Sequence, residues 1–293
     1  MLYMIFGQLS NRESLSDLIV CLQSQKNKSY HLGMGRGTSK VNLAKANEKR
    51  DYRIYESFAS SLVAQAQALS IPDESFELQI DAPVYAIDAT VVDLCLNLFW
   101  WGKFRRHKAA VKLHTMLDVK TSIPTVIFIT SGAVHEVNLL DHFPIEEGSY
   151  YLLDKGYIEF EKLYRIHKSA AYFVMPAKDN FAFVRLNSRT VDKQSGVICD
   201  QTVRLKNQLV SLKYPPELRR VKYRDAETDT QLVFITNNFE LRPDEIAALY
   251  RYRWKIELFF KWIKQHLKVK TFWDYSFNAV KTQIYIAMIT YLL

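Results

Sequence analysis

Val84-Tyr85-Ala86-Ile87-Asp88 opens the part of the chain whose reading decides the fold: an apolar run, mostly β-branched or aromatic, that leads straight into a carboxylate. Such a run reads as a buried strand. Val111–Val119 and Pro124–Thr130 read as two more strands, the second nearly all β-branched or aromatic. Tyr150-Tyr151-Leu152-Leu153 is a short apolar strand that ends at Asp154. A helical pattern over Ile158–Lys168 and a strand at Ala171–Met175 follow. Consecutive strands, a connection, another strand and a helix predict an α/β fold built on a mixed sheet flanked by helices.

Downstream, residues from about Phe181 to Asn238 lose the helical alternation. Val203–Leu212, Arg219–Arg224 and Gln231–Thr236 read as strands, and the stretch is expected to be a β-rich insertion. A long helix is predicted from Pro243-Asp244-Glu245, with Pro in its first turn and acids beside it, to about Leu267. Upstream, residues to about Ser70 read as helices. Ser10-x-x-Glu13 resembles a capping box, with Leu15, Leu18, Ile19 and Leu22 at helical spacing behind it. Gly33, Gly35 and Gly37 follow no strand, so they read as a flexible link rather than a phosphate loop. A second helix starts near Ser39 and carries Lys40, Lys45, Lys49, Arg50 and Arg53. The expected organisation is an N-terminal helical region, 1–75, and a catalytic domain, 76–293, with the insertion at about 181–238.

The 293 residues are ample for a buried core, and 48% hydrophobic with 24% charged residues is an ordinary globular composition, which excludes disordered, collagen-like and coiled-coil chains. Lys+Arg 39 against Asp+Glu 31 leaves a net charge of +8, which favours polyanionic partners. Cys21, Cys95 and Cys199 form no CxxC pair and no zinc spacing, so a reducing, cytoplasmic setting is expected. No stretch has the apolar length of a membrane span, and no membrane partner is expected. The chain begins and stops inside apolar runs (Leu2, Tyr3, Ile5, Phe6; Tyr291-Leu292-Leu293), so a fragment of a longer protein is the expectation.

Three carboxylates carry the candidate chemistry. Asp88 and Asp154 each stand after an apolar strand, where functional groups of open α/β sheets collect. Each could instead open a turn or cap a helix. Along the long helix Tyr250, Arg253, Glu257 and Lys264 lie at offsets of 3, 7 and 14 residues, within an arc of about 60° at the edge of the apolar face. An Arg253–Glu257 helix pair alone would be ordinary. The local charge argues for more: from Arg251 to Lys270 the bases Arg251, Arg253, Lys255, Lys261, Lys264, Lys268 and Lys270 face one acid, Glu257. A second basic cluster, Lys103, Arg105, Arg106, His107, Lys108 and Lys112, follows Asp88 on what reads as a loop. A polyanion approaching Asp88 would pass it. His135-Glu136 and Asp141-His142 lack HExxH spacing and are assigned a structural role. Ser131-Gly132 lacks the flanking glycine of a hydrolase elbow.

These residues carry a family resemblance. Tyr250-x-x-Arg253-x-x-x-Glu257-x-x-x-x-x-x-Lys264 matches, at every spacing, the C-terminal signature of the DDE transposases of the insertion-sequence-4 family of bacterial mobile elements. Ala86-Ile87-Asp88-Ala89-Thr90 resembles the block around that family's first catalytic Asp, and Leu153-Asp154-Lys155-Gly156-Tyr157 the block holding the second. The similarity runs from about Asp81 to the C-terminus, and Ser39–Phe58 is similar to N-terminal regions of these proteins. The resemblance implies a ribonuclease H-like core with a β-strand insertion. Asp88 would lie on its first strand, Asp154 on the fourth and Glu257 on the helix after the insertion. Family members are generally longer at both ends.

The resemblance further implies metal-dependent cleavage of double-stranded DNA at element ends, and transfer of the cut strands into target DNA. Asp88, Asp154 and Glu257 would be the catalytic residues. Hard oxygen ligands select magnesium or manganese over zinc, and two ions are expected, with Asp88 bridging both and Asp154 and Glu257 each binding one. Tyr250, Arg253 and Lys264 would hold the DNA backbone, with Arg105, Arg106 and Lys108 as further DNA contacts. A homodimer in the synaptic complex and a place at the bacterial nucleoid are expected in the same way. A non-catalytic remnant that binds element ends and inhibits transposition would share the basic surfaces without needing the carboxylates. A repair nuclease of the same fold would lack end specificity, and the Tyr-Arg-Glu-Lys stripe counts against it.

Overall fold

A computed structural model of the chain describes residues 1–293 except Arg36, Pro72, Leu96, Arg106, His107, Ala226, Glu227 and Lys270, and describes 104, 105 and 108 by their backbone alone. The N-terminal part consists of helices α1 (Leu2–Leu9), α2 (Leu15–Ser24), α3 (Lys26–Ser29), α4 (Lys40–Lys49) and α5 (Arg53–Leu69). The cap of α2 is Ser14, whose hydroxyl accepts the Asp17 N–H at 3.1 Å, and not Ser10, whose hydroxyl donates to the Phe6 carbonyl instead. Ser39 caps α4, which starts at Lys40 where a helix is expected near Ser39. Gly33, Gly35 and Gly37 all take positive φ in the link between α3 and α4, which L side chains tolerate poorly.

The sheet begins with β1 (Val84–Leu94), β2 (Lys103–Arg105), β3 (Lys108–Asp118), β4 (Ile123–Ser131) and β5 (Tyr150–Leu153). Helix α6 (Phe160–Lys168) leads to β6 (Tyr172–Pro176). Then come β7 (Phe183–Arg189), β8 (Val197–Leu205), helix α7 (Gln208–Lys213), β9 (Leu218–Arg224) and β10 (Gln231–Thr236). The chain closes with α8 (Pro243–Arg251), α9 (Trp254–His266) and α10 (Phe277–Leu292). Among the described residues these strands form one ten-stranded sheet of order β2-β3-β1-β5-β6-β10-β9-β8-β7, with β4 also paired to β3. Strand β3 is antiparallel to both β4 and β1, and β5 and β6 continue parallel to β1. Discounting the three-residue β2, this is the ribonuclease H-like order, with β5 as its fourth strand.

Alternation of side chains across the pleat divides the core in two. Val84, Ala86, Leu152 and Val174 face a cluster built with Ile246, Leu249, Ile256, Phe260 and the N-terminal helices. Tyr85, Ile87, Tyr151, Leu153 and Phe173 face the opposite cluster, with Leu163 and Ile166 of α6 and Tyr214. The first cluster also takes in Met4, Leu18 and Tyr55, so the N-terminal helices and the sheet share a core.

Some sequence expectations change. Asp88 lies within β1, not after it: β5 pairs with β1 only as far as Ile87, but β3 continues the pairing to Leu94. Val203–Leu212 is not one strand. β8 stops at Leu205, and the Asn207 side chain accepts the Leu209 and Val210 N–H groups to start α7. The long helix is two, α8 and α9, parted at Tyr252–Arg253. There the Tyr252, Arg253, Lys255 and Ile256 N–H groups bond three residues back instead of four. The basic segment after Asp88 is also largely strand rather than loop, with Lys112 buried inside β3. No helix of the described residues is long and apolar enough to cross a membrane.

A buried ion pair sets where α8 begins. Asp200 on β8 and Arg219 on β9 are each 2% exposed. They form two parallel 2.9 Å bonds, and Arg219 also donates to the Leu241 carbonyl at 2.6 Å, just before α8. Removing one partner of a buried pair strands the other charge. Asp200→Ala is therefore expected to cost about 3–5 kcal/mol of folding stability in chemical denaturation. A loss below about 1 kcal/mol would remove the pair from this anchoring role.

Candidate active site

Register brings the first two carboxylates together. The parallel β1–β5 ladder pairs Ile87 with Leu153, so Asp88 and Asp154 emerge side by side at its end. By alternation both continue the row of Ala86 and Leu152, the face on which α8 and α9 pack. Asp154 has extended backbone and accepts the Lys155 N–H at 2.7 Å, capping a short 3-10 turn over Lys155–Tyr157. Asp88 accepts its neighbour Ala89's N–H at 2.8 Å.

The third carboxylate arrives through an arginine. Arg253, at the junction of α8 and α9, donates from Nη1 to Asp88 Oδ2 at 3.0 Å and from Nη2 to Glu257 Oε1 in a shorter bond. The Arg253 side chain is only 16% exposed, and its Nε finds no acceptor among the described residues. The guanidinium carbon lies 5.7 Å from the centre of the Tyr250 ring, which in turn packs on Phe234 at 5.0 Å. Lys264, two turns beyond Glu257, donates to Thr90 Oγ1 at 2.5 Å and the Val91 carbonyl at 2.9 Å, tying α9 to β1 just past Asp88. Tyr250, Arg253, Glu257 and Lys264 thus line the β1 side of these helices despite the break between them. The side chains of Arg105 and Lys108, and Arg106 altogether, lie outside the described residues.

Glu136, Lys112 and Tyr157, which the sequence reading named without giving them a part in the carboxylate site, also border it. A Cβ on Gly156 would meet Asp154 Oδ2 and Glu136 Oε2 at 3.9 Å each, so these two carboxylates flank one point. Glu136, assigned a structural role from sequence, is held by Lys112 at 3.3 Å, whose ammonium also donates to the Val134 carbonyl. Tyr157 is fully buried, and its hydroxyl has no partner among the described residues. Burial, with the charges of Asp88, Glu136 and Asp154, pushes that phenol well above its ordinary range. The signals that touched these three, a basic cluster for Lys112, a His-Glu pair for Glu136 and the second Asp block for Tyr157, did not connect them to one another. Asp141 and His142 stay outside the site, with Asp141 paired to Lys162 at 2.7 Å.

Hard oxygen donors suit a divalent ion such as magnesium or manganese, and the buried Tyr157 hydroxyl, close enough to feel their charge, has no partner among the described residues. The side chains do not themselves close round such an ion: among the described residues no three His, Cys, Asp or Glu groups are gathered closely enough to hold one. Arg253 supplies the positive charge between Asp88 and Glu257 instead.

Burial pushes the Asp88 carboxyl up to about 6; the Ala89 N–H and Arg253 pull it down, while Glu136 and Asp154 add to the rise. A group whose folded pKa exceeds its unfolded value binds its proton more tightly in the fold. Stability is therefore lost as pH rises from about 4 to about 6, and the penalty stays above that range. In chelator, Asp88→Asn is expected to raise Tm at pH 7.5 and to give no gain near pH 4. Equal Tm differences at both pH values would refute the assignment.

Sheet order and the carboxylates at its β1–β5 seam place the molecule in the ribonuclease H-like class. Within it the chain belongs to the family described as the transposase DDE domain, whose model matches residues 79–293. Residues 1–35 match a family described only as a domain of unknown function. A Sinorhizobium fredii protein described as a transposase, y4zB, is 33% identical over 255 residues, covering 86% of this chain and 69% of that protein. A Geobacillus stearothermophilus protein described as a transposase for the insertion sequence element IS5377 is 29% identical over 218 residues, 74% of this chain and 57% of its own length. A Synechocystis protein, described as a transposase for the element IS4SA, is 27% identical over 260 residues, 86% of this chain and 69% of its own. The insertion-sequence-4 resemblance is consistent with these relatives. Among solved structures, a piggyBac transposase synaptic complex with hairpin DNA aligns with TM-score 0.45 and 10% identity, covering 99% of this chain and 74% of that one.

Proposed function

We propose that this chain cuts double-stranded DNA at the ends of its own insertion element and joins the freed 3′ ends to target DNA. The observation that supports this most directly is the convergence of Asp88 and Asp154 on one face of the β1–β5 seam, opposite Glu257 on α9, within a chain of the transposase DDE family. In this reading Asp88, Asp154 and Glu257 would hold two magnesium or manganese ions, which supply charge neutralisation for the attacking and leaving oxygens of a phosphodiester.

The chain's own residues do the rest by placement. Tyr250, Arg253 and Lys264 grip the DNA backbone beside the cut, Arg253 as a planar fork and Lys264 as a point charge. A water oxygen forms the new bond to phosphorus while the bond to the bridging 3′ oxygen breaks, and that oxygen leaves as a 3′-hydroxyl. In the second step the 3′-hydroxyl loses its proton, bonds to a target phosphorus and displaces the target's own 3′ oxygen. Residues 1–75 would add duplex contacts, and two copies of the chain would bring two element ends together.

The test is cleavage and joining of labelled duplexes carrying the terminal repeats that flank the coding sequence, with magnesium or manganese, by this chain and its variants. Glu257→Gln and Asp154→Ala are expected to abolish products while leaving DNA affinity nearly intact. Lys264→Ala is expected to weaken binding and lower its salt slope by about one phosphate contact. Products undiminished in Asp154→Ala would overturn the assignment. Binding without products from the unaltered chain would favour the non-cutting reading.

A further inference from the structure

We propose that Arg253 is the internal counter-ion of the site and the direct competitor of the divalent ion, so that metal loading hands its guanidinium to a DNA phosphate. This rests on the reading of Asp88, Asp154 and Glu257 as metal-holding residues. It adds an order to their use: carboxylates covered by arginine first, and by metal and DNA together afterwards.

Nη1 and Nη2 of one guanidinium take one oxygen each from Asp88 and Glu257, residues that lie on different elements. A fork that pairs with a single carboxylate uses two parallel bonds; this one is spread across two, and its Nε is left with no acceptor among the described residues. The arrangement offsets part of the charge of two partly buried carboxylates that would otherwise repel across the cleft. It also uses the oxygens an ion between them would need, so guanidinium and ion exclude one another there.

Asp154 is covered differently, since it accepts a backbone N–H from Lys155. An ion can therefore meet Asp154 before Arg253 has moved. Once Asp88 and Glu257 turn to the ion, Arg253 is a partly buried cation with no carboxylate partner and only the Tyr250 side chain beside it, next to the newly bound positive charge. A phosphate diester meets that need with matched geometry. The junction between α8 and α9, where backbone bonds run three residues back, gives the side chain a base that is not locked inside a continuous helix. Metal and DNA phosphate then favour each other's binding, and by linkage the effect is equal in both directions. A purely structural bridge predicts the opposite for removal of the arginine: a damaged site and weaker metal binding.

The experiment measures Mn2+ binding by the full chain, through the electron paramagnetic signal of free Mn2+, for the parent, Arg253→Met, Arg253→Lys and Asp154→Ala. Arg253→Met, which keeps much of the aliphatic bulk, is expected to bind Mn2+ about tenfold more tightly. Arg253→Lys, which can bond one carboxylate at a time, is expected to fall between it and the parent, and serves should the Met variant not fold. A short 5′-phosphorylated duplex at low salt is expected to tighten Mn2+ binding several-fold in the parent and not in Arg253→Met. Equal or weaker Mn2+ binding by folded Arg253 variants, with binding lost in Asp154→Ala, overturns the competitor role and leaves the metal-holding reading standing. Mn2+ binding that is absent throughout, or insensitive to Asp154→Ala, overturns the metal-holding reading and this inference with it.

Discussion

The parallel pairing of β1 with β5 is the constraint on which the site depends. Val84 through Ile87 lie opposite Tyr150 through Leu153, and the carboxylates follow immediately on both strands. The register is held because both faces are buried: a slip of one residue would send Ala86 and Leu152 to the face of Ile87 and Leu153 and mismatch two cores at once. With that register Asp88 and Asp154 fall on the α9 side together. Placing Glu257 opposite them then becomes a matter of docking one helix, through Ile256, Phe260 and Ile263, and of starting it correctly after Leu241.

Gathering acids in a partly buried cleft is unfavourable unless positive charge is gathered with them. The chain meets this with its own bases. Arg253 spans Asp88 and Glu257, and the buried Lys112 faces Glu136. Compensation is incomplete, since Asp88 still has its pKa raised to about 6 by burial and by Glu136 and Asp154. The Tyr157 hydroxyl, buried and with no partner among the described residues, points the same way: the cleft holds polar groups whose bonding is not completed by the protein alone. Unfinished bonding of this kind is what the proposed metal and DNA phosphate would complete.

Legibility in the sequence followed how local the determining forces are. The four-residue strand Tyr150–Leu153 could be read to the residue and the start of α4 to its neighbourhood, because an apolar run against a turn and a hydroxyl before a helix act within a few positions. The end of β1 could not, because it depends on β3 outlasting β5 as a partner, a non-local fact. Leu209, Val210 and Leu212 looked like strand beside Val203 and Leu205, and the overlooked local signal was Asn207, a good helix cap. No Gly or Pro announces the break at Tyr252–Arg253. Arg253, Glu257 and Lys264 were found because their spacing survives that break. Glu136 and Lys112 come to Asp154 only through the tertiary fold, whereas Tyr157 is its neighbour in a short turn and was named in the same block without a role of its own.

The N-terminal helices bear on this cleft from a distance. Gln8, fully buried, accepts the Lys268 N–H at 2.6 Å, and Gln283 of α10 donates to the Lys268 and Thr271 carbonyls. Trp273 donates its ring N–H to the Arg12 carbonyl and packs so close to Gly7 that a Cβ there would lie 2.5 Å from the ring. The segment after α9 is thus clamped between α1 and α10, as the segment before α8 is clamped by Asp200 and Arg219. Between those two fixed ends lies the Tyr252–Arg253 junction, where the backbone departs from regular helix. Movement of the guanidinium away from Asp88 and Glu257 can therefore be absorbed locally, without releasing α9 from the sheet that carries the other two carboxylates.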